Sequence, residues 1–181
     1  MNNKTGKLTA AGMLCALAYT ATAVGRVPIV LFLKYDPKDI IIAAGGMIFG
    51  PPTACAIALT VSLAELFTIS ETGILGFLMN VISSCSFAYT AALIYQKRRT
   101  FLSALAGLLC GWGCMTAVML LWNYLIAPVY MGCSRQEAAA LLLPAFLPFN
   151  IIKGGLNTAG TLLLYKPVII PASRKAGRTV S

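Results

Sequence analysis

Residues 141–155, Leu-Leu-Leu-Pro-Ala-Phe-Leu-Pro-Phe-Asn-Ile-Ile-Lys-Gly-Gly, decide how this chain is read. Asn150 and Lys153 stand three residues apart in sequence that is otherwise apolar and stays so to Tyr165. Pro144 and Pro148 cannot both lie inside one regular helix, so a helix is expected to begin near Pro148. Positions i and i+3 share a helix face, which sets the amide and the ammonium side by side at the mouth of an apolar helix. A lysine there opposes the helix dipole. Snorkelling to the lipid headgroups would be one explanation. A ligand site is the other, and we favour it because ionisable residues inside a membrane usually serve one.

Composition places that helix in a bilayer. The chain has 181 residues, is 59% hydrophobic and 10% charged, and has a mean hydropathy of +0.82, the signature of an integral membrane protein. A span needs about 20 apolar residues, so the length allows about six helices and no soluble catalytic domain. The expected fold is all-α, a single membrane domain over residues 1–181. The first apolar stretch lacks a cleavage pattern and reads as the first span. The six cysteines (15, 55, 85, 110, 114 and 133) form no Cys-x-x-Cys pair and read as packing residues. Histidine is absent, which excludes His-based catalysis and His-ligated metals.

Working outward, the first span is expected over residues 8–24. Gly12, Ala16 and Thr20 recur every four residues and make a stripe of small side chains, suited either to packing within the protein or to docking another subunit. Residues 25–36 are too long and too apolar for an external turn and read as a loop folded back over the bundle. Asp36-Pro37-Lys38-Asp39 is a helix start, with Asp36 as its cap. That second helix runs only to Gly50, about 20 Å against an apolar thickness of about 30 Å, and would leave a cavity beside it. Further spans are expected over 53–69, with Glu65 about a turn from its end, over 74–95, with Asn80 inside it, over 101–127, with Gly107-x3-Gly111 and Cys110-x3-Cys114, and over 149–165. Glu71 falls in a loop. Residues 129–147 read as a second long loop carrying a short surface helix from Ser134. The basic tail from Ser173 reads as mobile.

Charge orients the bundle. With both ends on one side, that side holds Lys4, Lys7, Lys97, Arg98, Arg99, Lys166, Arg174, Lys175 and Arg178 and none of the five acids. The positive-inside rule makes it cytoplasmic. The net charge of +9 is thus a topology signal, and nucleic-acid binding is a poor reading of it. Glu65, Asn80, Asn123, Asn150, Lys153 and the loop at Lys34-Tyr35 then gather near the outer face. Convergent polar groups in an apolar bundle read as a small-molecule site. No P-loop, Ser-His or Cys-His pair, or acidic two-metal cluster occurs. Binding or transport therefore fits better than catalysis, in a subunit that borrows its energy.

Leu33-Lys34-Tyr35-Asp36, Gly45-Gly46-x-x-Phe49-Gly50-Pro51, Thr72-Gly73-x-x-Gly76-x3-Asn80, Leu121-x-Asn123-Tyr124-x3-Pro128-x-Tyr130 and Pro148-Phe149-Asn150-x-x-Lys153-Gly154 occur in order along nearly the whole chain. In these the sequence resembles the riboflavin-type substrate-binding (S) subunits of energy-coupling factor transporters. The resemblance implies a multi-pass cell-membrane protein of six helices with riboflavin, as transported substrate and not cofactor, bound near the outer face. It implies a separate transmembrane coupling subunit and two cytoplasmic ATPases as partners. It also implies that Asn123, Asn150 and Lys153 contact the flavin, and that Gly12, Ala16 and Thr20 face the coupling subunit. An amide offers donor and acceptor to the edge of the flavin ring, and lysine offers donors only. The chain departs from the family at Phe77, where an acid is frequent, and at Glu65, where other polar residues occur. A subunit for another vitamin such as thiamine, a stand-alone facilitator and a membrane enzyme are the competing readings, the last disfavoured by the missing catalytic groups.

Overall fold

The computed structural model describes residues 3–30, 33–69, 73–132 and 134–175; Glu71, Cys133 and Arg178 lie outside them. Among the described residues, six helices make up the bundle: α1 (Asn3–Gly25), α2 (Lys38–Phe49), α3 (Pro51–Thr68), α4 (Gly73–Arg98), α5 (Phe101–Met131) and α6 (Arg135–Lys175). All but α2 are long and apolar enough to cross a membrane. Large apolar side chains such as Leu8, Phe67, Leu102 and Leu163 are at least 75% exposed on the outside of the bundle, where hydrocarbon would cover them.

The short helix α2 is the axis of the fold. It packs on α1, α3, α4 and α6, and Ile42 to Ile48 are buried throughout. Lipid tails are as apolar as a protein core, so helices in a membrane associate by close packing of small side chains. Ala43, Ala44, Ala54, Ala58, Ala88, Ala91 and Ala92 supply that surface here. Gly50 ends α2 at φ +118°, a conformation that favours glycine, and Pro51-Pro52 start α3 in its first turn. The Gly107-x3-Gly111 pattern packs α5 on α4: a Cβ at either glycine would lie 2.6 or 2.5 Å from the carbonyl oxygens of Ala91 and Phe87. Cys110 and Cys114 are exposed on another face. Gly12, Ala16 and Thr20 are exposed too, so the stripe on α1 looks out of the bundle and does not pack within it.

After α1 the chain folds back, as the composition suggests, but as two antiparallel strands of a hairpin, β1 (Val27–Val30) and β2 (Leu33–Tyr35), paired Val27 to Tyr35. Elsewhere the expectations need correcting. Helix α5 continues through Pro128 to Met131 and ends at Gly132 in a left-handed turn, so the described residues of 129–147 form no long loop. Ser134 and Glu137 form a capping box, the helix start expected there. From it α6 runs unbroken, and π turns at Leu142–Phe146 and Tyr165–Ile169 interrupt its regular geometry. Pro144 sits in the first π turn and Pro148 in the first turn of the α-helical stretch Leu147–Leu164. The longer hydrogen-bonded ring absorbs a proline that a regular helix rejects. Lys153 therefore sits within a continuous helix and not at the mouth of one. The start of the tail is also ordered, since α6 reaches Lys175 and Ser173 is buried.

Candidate substrate-binding site

The hairpin, the start of α2 and two long helices bring six ionisable groups together. Arg26 lies just before β1, Asp36 follows β2, Lys38 and Asp39 open α2, Glu65 comes from α3 and Lys153 from α6. Lys38, Asp39, Glu65 and Lys153 are all at most 5% exposed. Isolated charges at that depth would cost several kcal/mol each, so every one must be paired.

One half of the network centres on Glu65. Lys38 Nζ donates to Glu65 Oε2, Asn80 Nδ2 donates to the same oxygen at 3.4 Å, and Arg26 Nη2 lies 3.8 Å from it. Arg26 Nε donates to Asp36 Oδ1 at 2.7 Å and Nη1 to the Ile69 carbonyl at 3.4 Å, tying the hairpin's base to the end of α3. The other half centres on Asp39. Lys153 Nζ lies 3.1 Å from Asp39 Oδ2 and donates to Ser83 Oγ at 3.1 Å. Ser84 Oγ donates to Asp39 Oδ1, and Asn157 Nδ2 donates to Asp39 Oδ2 at 3.1 Å. Tyr35 Oη donates to Asn157 Oδ1 at 3.0 Å, fastening the hairpin to α6. Burial, with Asp39 and Asp36 nearby, pushes the Tyr35 phenol up to about 12, so at neutral pH it remains a donor.

Sequence spacing explains how one helix serves several partners. Asn150, Lys153 and Asn157 follow i, i+3, i+7 on α6, and Asn80, Ser83 and Ser84 follow i, i+3, i+4 on α4; each set lines one face. Asn123 and Asn150 are buried as well, and their Nδ2 groups donate at 2.8 Å to the carbonyls of Met119 and Phe146 in their own helices. That local bond satisfies an amide in an apolar bundle.

Of the residues expected in the site, the structure joins Tyr35, Glu65, Asn80 and Lys153 into this network and buries Asn123 and Asn150 on the neighbouring α5 and α6. Lys153, expected to serve a ligand, pairs with Asp39, and Glu65 pairs with Lys38. Asp36 caps nothing with its side chain: Pro37 is the N-cap of α2, and the carboxylate instead holds Arg26. Lys38, Asp39, Ser83, Ser84 and Asn157 were missed. The i, i+3, i+7 row of Asn150, Lys153 and Asn157 was the signal that could have found the last of them.

An apolar bundle that sets a paired polar network beneath a hairpin has the architecture of a membrane protein suited to holding a small solute. The model of the family described as ECF transporter, substrate-specific component, matches residues 6–165, and the chain belongs to that family. It is 28% identical over 170 residues to the riboflavin transporter RibU of Staphylococcus aureus (strain TCH60), covering 88% of each chain. It is also 28% identical over 143 residues to the riboflavin transporter FmnP of Bacillus subtilis (strain 168), 74% of this chain and 75% of that one. Among solved structures it resembles the S component of a bacterial ECF transporter, with a TM-score of 0.78, 28% identity and 91% and 96% of the two chains covered. ThiT from Listeria monocytogenes shares the fold alone, with a TM-score of 0.56 and 18% identity over 98% and 100% of the two chains.

Proposed function

We propose that this substrate-specific component binds riboflavin near the outer face of the membrane and delivers it to an ATP-driven importer. The observation that carries the reading is the buried face of α6, Asn150-Lys153-Asn157, in an apolar bundle where α6 packs on α5, which buries Asn123. Amide donors and acceptors match the carbonyl and N–H edge of a flat, largely apolar flavin ring. The two relatives named as riboflavin transporters support the choice of vitamin. Tyr35, Glu65 and Asn80 complete the site on the hairpin, α3 and α4.

The termini face the cytoplasm in this reading, as the positive-inside rule requires. The partners are a transmembrane coupling subunit and two cytoplasmic ATPases. Docking uses the stripe Gly12, Ala16 and Thr20, whose exposure supports a contact outside the bundle. The test is uptake of labelled riboflavin by cells that lack their own uptake system. Uptake should need this chain together with the coupling subunit and the ATPases. Uptake by this chain alone would instead support a stand-alone facilitator.

A further inference from the structure

The end of the bundle opposite the hairpin is built from the last turns of α2, α4 and α6 and the first turn of α5. Gln96 of α4 lies beside Gly50 at the end of α2, and the last part of α6 packs on α2. The Tyr165 ring of α6 meets Tyr95 of α4 edge-on at 6.0 Å and Phe101 of α5 at 5.5 Å. These contacts draw two basic segments together: Lys97, Arg98 and Arg99 where α4 passes into α5, and Lys166, Arg174 and Lys175 on α6. All but Arg99 are exposed; Arg99 is half-buried and makes the tight turn into α5 at φ +51°.

No acid answers these cations among the described residues. Asp36, Asp39 and Glu65 are taken up under the hairpin, Glu137 closes the capping box at the other end of α6, and none of the six basic residues forms an ion pair. Like charges gathered in one patch repel one another and favour an anion among them. The neighbours say which kind. Phe101 is 48% and Leu102 75% exposed directly after the first segment, and Val168 is exposed between the cations of the second. A small soluble anion would leave those apolar side chains bare. A phospholipid covers both kinds of surface, its phosphate against the cations and its acyl chains along the helices. The stripe assigned to docking lies on α1, which packs on α2 and α3, so a partner seated there leaves the patch on α4, α5 and α6 to lipid.

We propose that this patch is a binding site for an anionic phospholipid. The cations of the α4–α5 turn and of the end of α6 hold its phosphate from two sides, and Phe101 and Leu102 lie under its acyl chains. Guanidinium groups give paired donors to phosphate oxygens, which suits Arg98 and Arg99 to the headgroup. A zwitterionic headgroup brings its own cation into the patch and is disfavoured. In the orientation proposed above, the site lies in the cytoplasmic leaflet.

The test is native mass spectrometry of the purified full chain, released from detergent micelles that hold equal amounts of phosphatidylglycerol and phosphatidylcholine. The wild type should retain phosphatidylglycerol at least about ten-fold over phosphatidylcholine, which two cations at an anionic lipid surface suffice to give. Arg98→Gln/Lys166→Gln should lose most of that preference while melting as the wild type does. Arg135→Gln, which removes an exposed cation at the other end of α6, should keep it. Preference retained in the double variant, or lost equally in Arg135→Gln, would overturn the site. Excess glycerol 3-phosphate should leave the lipid bound; displacement would make this a site for a free phosphate and overturn the lipid assignment. A double variant that keeps its lipid but no longer co-purifies with the coupling subunit and ATPases would give the patch to a protein partner, which also overturns it.

Discussion

Replacing Lys153 by methionine keeps most of the side-chain volume and removes one charge from the centre of the network. Asp39 is fully buried and has three partners there: Lys153 and Asn157 at 3.1 Å on Oδ2, and Ser84 on Oδ1. In the variant the carboxylate keeps two neutral hydrogen bonds and loses its nearest counter-ion. Removing one partner of a buried pair costs about 3–5 kcal/mol. The surviving bonds from Ser84 and Asn157 place this site at the lower end, about 3 kcal/mol. For a chain of this length that is roughly 6–12 °C in melting temperature. The assay is thermal unfolding of the ligand-free protein in detergent. The double variant Asp39→Asn/Lys153→Met removes both charges and should recover most of the loss, because no uncompensated charge remains. A ligand-free Lys153→Met protein that melts with the wild type would refute the pairing, and the lysine would then be held by ligand alone.

The docking stripe predicts that Ala16→Trp binds riboflavin as the wild type does but supports no uptake, since Ala16 is exposed and a large side chain would block helix approach; normal uptake with the partner subunits present would refute it. Tyr35→Phe removes the bond between the hairpin and Asn157 and should speed ligand release several-fold, read in stopped-flow fluorescence, the bond being worth about 1 kcal/mol. In the wild type, hydrogen exchange at Leu33–Tyr35 should slow when ligand binds, and equal exchange with and without it would make the hairpin a fixed wall. Gly111→Val would drive a side chain into the Phe87 carbonyl and should destabilise the ligand-free protein by about 2 kcal/mol or more, checked by the same melting assay.

The helical bundle was legible because apolar length is a strong signal in a membrane protein: α3 is expected over 53–69 and found at Pro51–Thr68. The break before α3 was equally plain at Gly50-Pro51-Pro52. Prolines misled elsewhere. Pro128 and Pro144 read as helix breakers, yet α5 passes through one and α6 absorbs the other in a π turn, because backbone polar groups in a bilayer must be satisfied within the helix. In the site, Lys153 stood out as a cation in apolar sequence, but its partner did not. Asp39 and Lys38 belong to a run that a helix start explains locally, so nothing in the sequence around them asks for partners 27 and more residues away, such as Glu65 and Asn157. Pairings between helices are set by how α2 is enclosed by its neighbours, and spacing along the chain does not encode that.

The most direct test of the account is the visible absorption spectrum of the protein purified from cells grown with riboflavin. We predict a yellow protein whose flavin band corresponds to about one flavin per chain. Colourless protein that takes up no flavin on addition, but is stabilised against heat by thiamine or another vitamin, would contradict it.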